Sequence, residues 1–175
     1  MKLADFIKAL SGDKNLQGAD LADADLSGVP LNGANLSGAS LNGANLVNAD
    51  LCGANMKGAS LIGTKLSGAN LTGANLSQAN LVRVDLARSN LTNVNFTGAN
   101  LQKARLYGAN LQGAIINNTD LNDANLRGVE FAGIKLRGSK LNAPTIKNLI
   151  LAMSGSVVKS KVRRSPTTKK SRHPF

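Results

Sequence analysis

From Leu16 to Leu141 every fifth residue is large and apolar. The series has 26 positions: leucine holds 22, and Met56, Phe96, Ile116 and Phe131 fill the others. Two residues before each of these centres the chain is nearly always small, as at Ala19, Ala24, Ala34, Ala39 and Ala44. One residue before, it is usually Asn or Asp, as at Asp20, Asn35, Asn45 and Asp50. Two residues after, glycine recurs, as at Gly18, Gly28, Gly33 and Gly38. The unit reads Ala-(Asn/Asp)-Leu-x-Gly, and a strict internal period fixes the architecture ahead of any local motif.

Neither regular element carries a period of five. On an α-helix, five residues turn the chain by about 500°, so the leucines would wander around the surface without forming a stripe. The recurrent glycines would also cost roughly 1 kcal/mol each in helix interiors. On a flat strand an odd step throws successive leucines onto opposite faces. The remaining geometry is a short extended segment in which the small residue and the centre both point inward while the Asn or Asp between them points out. Glycine then lets the backbone turn a corner. With about a right angle per unit, four units close a square coil of 20 residues, and successive coils pair as parallel strands about 4.8 Å apart. The 127 residues from Leu16 to Asn142 make a little over six such coils, a prism about 30 Å long.

Ala19-Asp20-Leu21, Ala34-Asn35-Leu36, Ala69-Asn70-Leu71 and Ala109-Asn110-Leu111 resemble the A(D/N)Lxx units of the pentapeptide-repeat family. The resemblance covers residues 14–143 and implies an all-β solenoid, a right-handed four-sided parallel β-helix. Val29, Val84, Val94, Val129 and Ile134 depart from the small inward residue, and Ile115 stands where Asn or Asp is usual. Numbering by 20 stacks Asn15, Asn35, Asn55, Asn75 and Asn95 in one column, where amides can bond along the axis. A second column reads Lys65, Asp85, Arg105.

Open solenoid ends expose sheet edges. Within residues 1–13, Leu3, Phe6, Ile7 and Leu10 have the spacing of an amphipathic helix, and the sequence predicts that this stripe caps the first coil. Pro144 suits a helix N-terminus, and Ile146, Leu149, Ile150 and Met153 repeat the spacing over 144–153. That second helix reads as a cap or as a homodimer surface, the latter because C-terminal elements serve so in some members of the family.

Charge is unevenly distributed. Residues 16–142 carry ten basic and eight acidic side chains, so the prism is nearly neutral, while residues 154–175 add seven cations and no acid. Those are Lys159, Lys161, Arg163, Arg164, Lys169, Lys170 and Arg172. With few apolar neighbours they read as a solvated tail suited to an anionic partner, nucleic acid or a charged surface. On the prism, Arg83 and Lys103 stack on one corner column, with Arg88 and Arg105 adjoining. This patch is the candidate contact surface of the rigid part. Ile62 with Val82, and Val47 with Tyr107, are outward apolar residues able to anchor a protein contact. Cys52 is the lone cysteine, and the N-terminal residues lack the pattern of a secretory signal. No apolar stretch has transmembrane length, and the expected compartment is the cytoplasm.

No catalytic, cofactor or metal site is expected. The lone histidine, His173, lies three residues from the end of the sequence, so nucleophilic arrangements lack a positioned base. No Cys/His cluster has ligand spacing, and the glycines match no phosphate loop. The resemblance also brings to mind the family's DNA-gyrase protection by mimicry of the acidic DNA duplex. A near-neutral rod suits that mechanism poorly. The reading that remains is a non-catalytic rigid scaffold for a protein partner, similar to many proteins of bacterial genomes.

Overall fold

The computed structural model describes residues 1–134 and 136–151. Parallel bridges join each residue before a centre to the one 20 positions on, from Asn15↔Asn35 to Asp120↔Lys140. They fall in four columns, which define four walls. Wall 1 carries the bridge residues Asn15 to Ile115, wall 2 Asp20 to Lys140, wall 3 Asp25 to Asn125 and wall 4 Pro30 to Glu130.

One unit shows why the sequence specifies this path. Asn70 N–H donates down to Ala49 O (3.0 Å), while Leu71 N–H and Gly73 N–H donate up to Asn90 O (2.8 Å) and Thr92 O (2.9 Å). Ala69 N–H closes the preceding corner onto Leu66 O (3.1 Å). That leaves Thr72 N–H, and the Asn70 side-chain oxygen accepts it at 3.2 Å. All five N–H groups of the unit thus have partners, as a packed backbone requires. The recurrent Asn or Asp is therefore an Asx-type acceptor for the N–H two residues on, repeated at Asp50, Asn75, Asp85, Asn90 and Asp120 among others. Axial amide bonds join Asn35, Asn55 and Asn75 in turn, but the local bond recurs far more often.

Nearly every corner combines a hydrogen bond across four residues with a positive φ at the third, the signature of a type II turn. Gly73, at φ 67°, occupies the left-handed region where a β-carbon is disfavoured. The centres from Leu16 to Leu126 are buried together with the inward alanines, and Phe131, Leu136 and Leu141 are half-buried against them. Thr64 and Thr119 replace alanine inside and donate to Leu41 O (2.7 Å) and Phe96 O (2.8 Å), so these inward hydroxyls are satisfied.

Helix α1 (Leu3–Leu10) lies across the first coil. Lys2 N–H donates to Asp20 O and Asp5 Oδ2 accepts Asp20 N–H, both at 2.9 Å, filling bonds that a lower coil would make. Lys2, Asp5, Phe6 and Ala9 share one helix face, and these contacts set its rotation. Ala9 is buried and Phe6 packs on the core, but Leu3, Ile7 and Leu10 are 68%, 56% and 52% exposed. The expectation that the whole Leu3/Phe6/Ile7/Leu10 stripe covers the coil is corrected: the polar contacts turn most of it outward.

Residues 143–151 are helical, so this element begins one residue before the expected 144. The Asn142 side chain accepts Thr145 N–H (3.3 Å) as an N-cap. Thr145 is buried with its hydroxyl 3.1 Å from Leu121 O, and Leu149 packs on the core. Ile146 and Ile150 are exposed, while Met153 and residues 154–175 lie outside the described residues.

Candidate functional site

The outward positions and flanking corners of wall 3 hold six of the ten cations of residues 16–142, with Asp23, Asp25, Asp85 and Asp123 among them. Its bridge column runs Asp25, Asn45, Lys65, Asp85, Arg105, Asn125. Two residues further on, the column runs Ser27, Val47, Ser67, Ala87, Tyr107, Arg127. The flanking corners contribute Arg83 and Lys103 on one side and Arg88 on the other. All four residues of the sequence-derived patch are exposed, and the coil register brings them together over two neighbouring coils. Arg105 pairs with Asp85 at 3.3 Å, as the alternating column suggested. Asp85 Oδ1 also accepts Ala87 N–H at 3.1 Å, so this carboxylate is neutralised in place. Lys65, on the other side of Asp85, makes no ion pair within 4.0 Å among the described residues, and neither do Arg83, Arg88, Lys103 or Arg127.

Backbone conformation distinguishes this patch. Nine corners are left-handed without glycine. Five are Asn or Asp, which tolerate that region: Asp23, Asn48, Asn93, Asn118 and Asp123. The other four are Gln78, Arg83, Arg88 and Lys103, with φ of 61°, 59°, 58° and 59°. An L-residue in this region costs about 1–2 kcal/mol, so three of the most strained corners carry the wall's cations.

Tyr107 is 49% exposed and lies on the same wall. Its Cε2 comes within 3.9 Å of where a Gly128 β-carbon would stand, and the Arg88 stem passes 3.6 Å from the corresponding point at Gly108. Both side chains therefore lie along the corner edge, at ordinary van der Waals distance from those points. Arg88 N–H donates to Tyr107 O (2.8 Å), and Arg127 stands one coil above the ring. Arg127 was not singled out from the sequence, although numbering by 20 places it directly over Tyr107. Of the other outward apolar residues, Ile62 is exposed while Val82 and Val47 are half-buried, so none forms a large patch.

The acidic end is separate. Hydrogen bonds from Ser27 hold the Asp25 carboxyl below its ordinary value, helped by Asn45 Nδ2 at 2.9 Å. The Ala22 N–H and the Met1 amino group do the same for Asp20. Among the described residues no group of His, Cys, Asp and Glu is placed to hold a metal ion. Cys52 is exposed, and among the described residues no helix is long and apolar enough to cross a membrane. A narrow apolar void between Phe96, Leu121, Phe131 and Leu149 has room for about one water. The seven tail cations lie outside the described residues.

A 20-residue parallel register with inward leucines defines a four-sided parallel β-helix solenoid. The chain belongs to the pentapeptide repeat family, whose model matches residues 2–38, 31–68, 69–106 and 104–142. Solved structures include a pentapeptide repeat protein from the Arabidopsis thaliana thylakoid lumen, 37% identical over 63% of this chain and 70% of that one, with a TM-score of 0.42. Rfr23 from the cyanobacterium Cyanothece 51142 is 23% identical over 81% of this chain and 100% of its own, with a TM-score of 0.38. QnrB1, a plasmid-mediated fluoroquinolone resistance protein, is 22% identical over 84% of each chain, with a TM-score of 0.30. Overlaps at those scores carry no argument about function. No curated protein matches the chain.

Proposed function

We propose that this protein is a non-catalytic, rigid interaction scaffold. In this reading about six coils are closed at both ends by short helices, and fixed outward side chains recognise a partner without reorganising. The observation that carries it is the placement of Arg83, Arg88 and Lys103 on left-handed corners where the fold favours glycine. Residues that oppose local stability on an exposed wall point to recognition. The seven cations of residues 154–175 favour an anionic partner and would add long-range attraction. Affinity capture from the native cell tests the scaffold, with the full chain compared against a variant carrying Arg83→Gly, Arg88→Gly and Lys103→Gly. A partner retained by the first and lost by the second supports it; identical captures from both would overturn it.

A second reading is topoisomerase-related binding, because the family resemblance implies DNA-gyrase protection. The balance of ten basic and eight acidic residues over 16–142 counts against mimicry of an acidic duplex. Rescue of gyrase supercoiling from a quinolone by micromolar protein would establish that reading, and no rescue would remove it.

A further inference from the structure

We infer that the upper part of wall 3 binds single-stranded nucleic acid, with phosphates on Arg83, Arg88, Lys103 and Arg127 and an unstacked base on Tyr107. This deepens the scaffold reading above and rests on it. Three independent features of the wall converge on this ligand.

The first is a cationic lattice. Successive coils set Arg83 beside Lys103 on one corner, about 4.8 Å apart, while Arg88 occupies the opposite corner and Arg127 the coil above. Asp85 and Asp123 lie among them, but Arg105 and the Ala87 N–H engage Asp85 and the Asn142 side chain donates to Asp123, so against five cations the upper wall keeps a net positive charge. The second is strain: three of these cations sit at φ 58–59°, in the left-handed region that favours glycine and that Gly43, Gly63, Gly68 and Gly108 occupy in the same two corner columns. A merely solubilising charge has no need of those positions, since unstrained outward sites abound on every wall. The third is the ring. Tyr107, the single tyrosine of the chain, is 49% exposed. It is bordered by Arg88, Arg105 and Arg127 and lies along the glycine corner at Gly128.

An aromatic ring set among arginines is how proteins hold single strands: cations track the backbone while bases stack on the ring, with little regard to sequence. A duplex keeps its bases stacked internally, so it would use the cations and leave the tyrosine idle. An acidic peptide would likewise use the charges alone. The ring is thus the element that selects among polyanions.

The test is fluorescence anisotropy of a labelled twelve-nucleotide single strand, DNA or RNA, titrated with the full-length protein at two salt concentrations. Binding should weaken with salt, with a slope of roughly −3 for four phosphate contacts. Tyr107→Ala should weaken binding about tenfold, and Tyr107→Phe should retain it, because stacking needs the ring and not the hydroxyl. The triple variant Arg83→Gly, Arg88→Gly, Lys103→Gly places at each corner the residue the backbone favours, so it should remain folded by circular dichroism. It should lose about tenfold or more in affinity and shallow the salt slope by about 2. Replacing the seven tail cations with Gln in the full chain should lower affinity without removing the sensitivity to Tyr107. Unchanged affinity in both wall variants, or binding governed by the tail alone, would overturn the assignment. So would equal binding of a polyglutamate peptide insensitive to Tyr107→Ala, but that result would leave the scaffold reading standing. Loss of the scaffold reading is instead read from identical captures.

Discussion

Walls 3 and 4 are built on the same lattice and differ in almost everything that faces outward. Both bury leucines at five-residue intervals, and both pair coil to coil with the same 20-residue offset. Wall 4 presents Asn70, Asn90 and Asn110 with Thr72, Thr92 and Gln112, and among its outward positions the charged residues are Asp50 and Glu130. Its far corner is Gly33, Gly53, Gly73, Asn93, Gly113 and Gly133, all types at ease with positive φ. Wall 3 instead carries arginines and a tyrosine, with strained cations at its corners. Wall 4 approximates what the fold alone asks for, and the departures on wall 3 are where we propose that recognition takes place.

The comparison is broken most forcefully from inside. Leu86→Ala beneath wall 3 and Leu91→Ala beneath wall 4 should each lower stability by about 2–5 kcal/mol, measured by urea denaturation. Both side chains are fully buried in equivalent places, so the two values should agree closely. A large disparity would mean that the walls differ in their interior as well as on the surface.

Corner exchanges have the next largest effect. Gly73→Arg should cost about 1–2 kcal/mol, because it forces a residue bearing a β-carbon into the left-handed region. Arg88→Gly should leave stability unchanged or raise it by up to about 1 kcal/mol, the relief of strain being partly offset by the freedom of glycine in the unfolded chain. Melting temperatures of the two variants should therefore move in opposite directions or, at the least, by clearly unequal amounts.

Smaller changes concern the repeated side-chain acceptor. Asn70→Ala removes the oxygen that takes Thr72 N–H and should cost about 1 kcal/mol. Arg105→Asn gives wall 3 the acceptor that its arginine cannot supply, and should restore part of that amount even as it removes the pair with Asp85. The smallest effect is at the acidic end. Hydrogen bonds hold the Asp20 and Asp25 carboxyls below the usual carboxylate range, so their contribution is present above ordinary carboxylate pKa values. It is lost as pH falls through their lowered values. Asp25→Asn should flatten that acid limb in a pH titration of stability, and an unchanged limb would remove Asp25 from it.

Much of this was legible in the sequence because the leucine period never slips, and a period of five with a corner residue admits one closed geometry. Arg83, Arg88, Lys103 and Arg105 could be grouped by counting in twenties. Three things were not legible. Spacing alone does not tell whether an outward amide bonds along the axis or back to its own chain, and Asn70 does both, its Nδ2 donating to Asp50 Oδ1 (3.1 Å) while its oxygen accepts Thr72 N–H. The Leu3, Ile7, Leu10 spacing reveals an amphipathic helix but not its rotation, which the Lys2 and Asp5 bonds to Asp20 determine. Corner strain at Arg83, Arg88 and Lys103 becomes visible only once every corner is seen to keep positive φ whatever residue occupies it.

The most direct measurement is a map of backbone amide shifts by nuclear magnetic resonance, taken on the full chain as a twelve-nucleotide single strand is added to saturation. The account predicts the largest changes at Arg88, Arg105, Tyr107 and Arg127, with Asn90, Thr92 and Gln112 on the neighbouring wall nearly still. Changes as large on wall 4, or none on wall 3 at saturation, would contradict it.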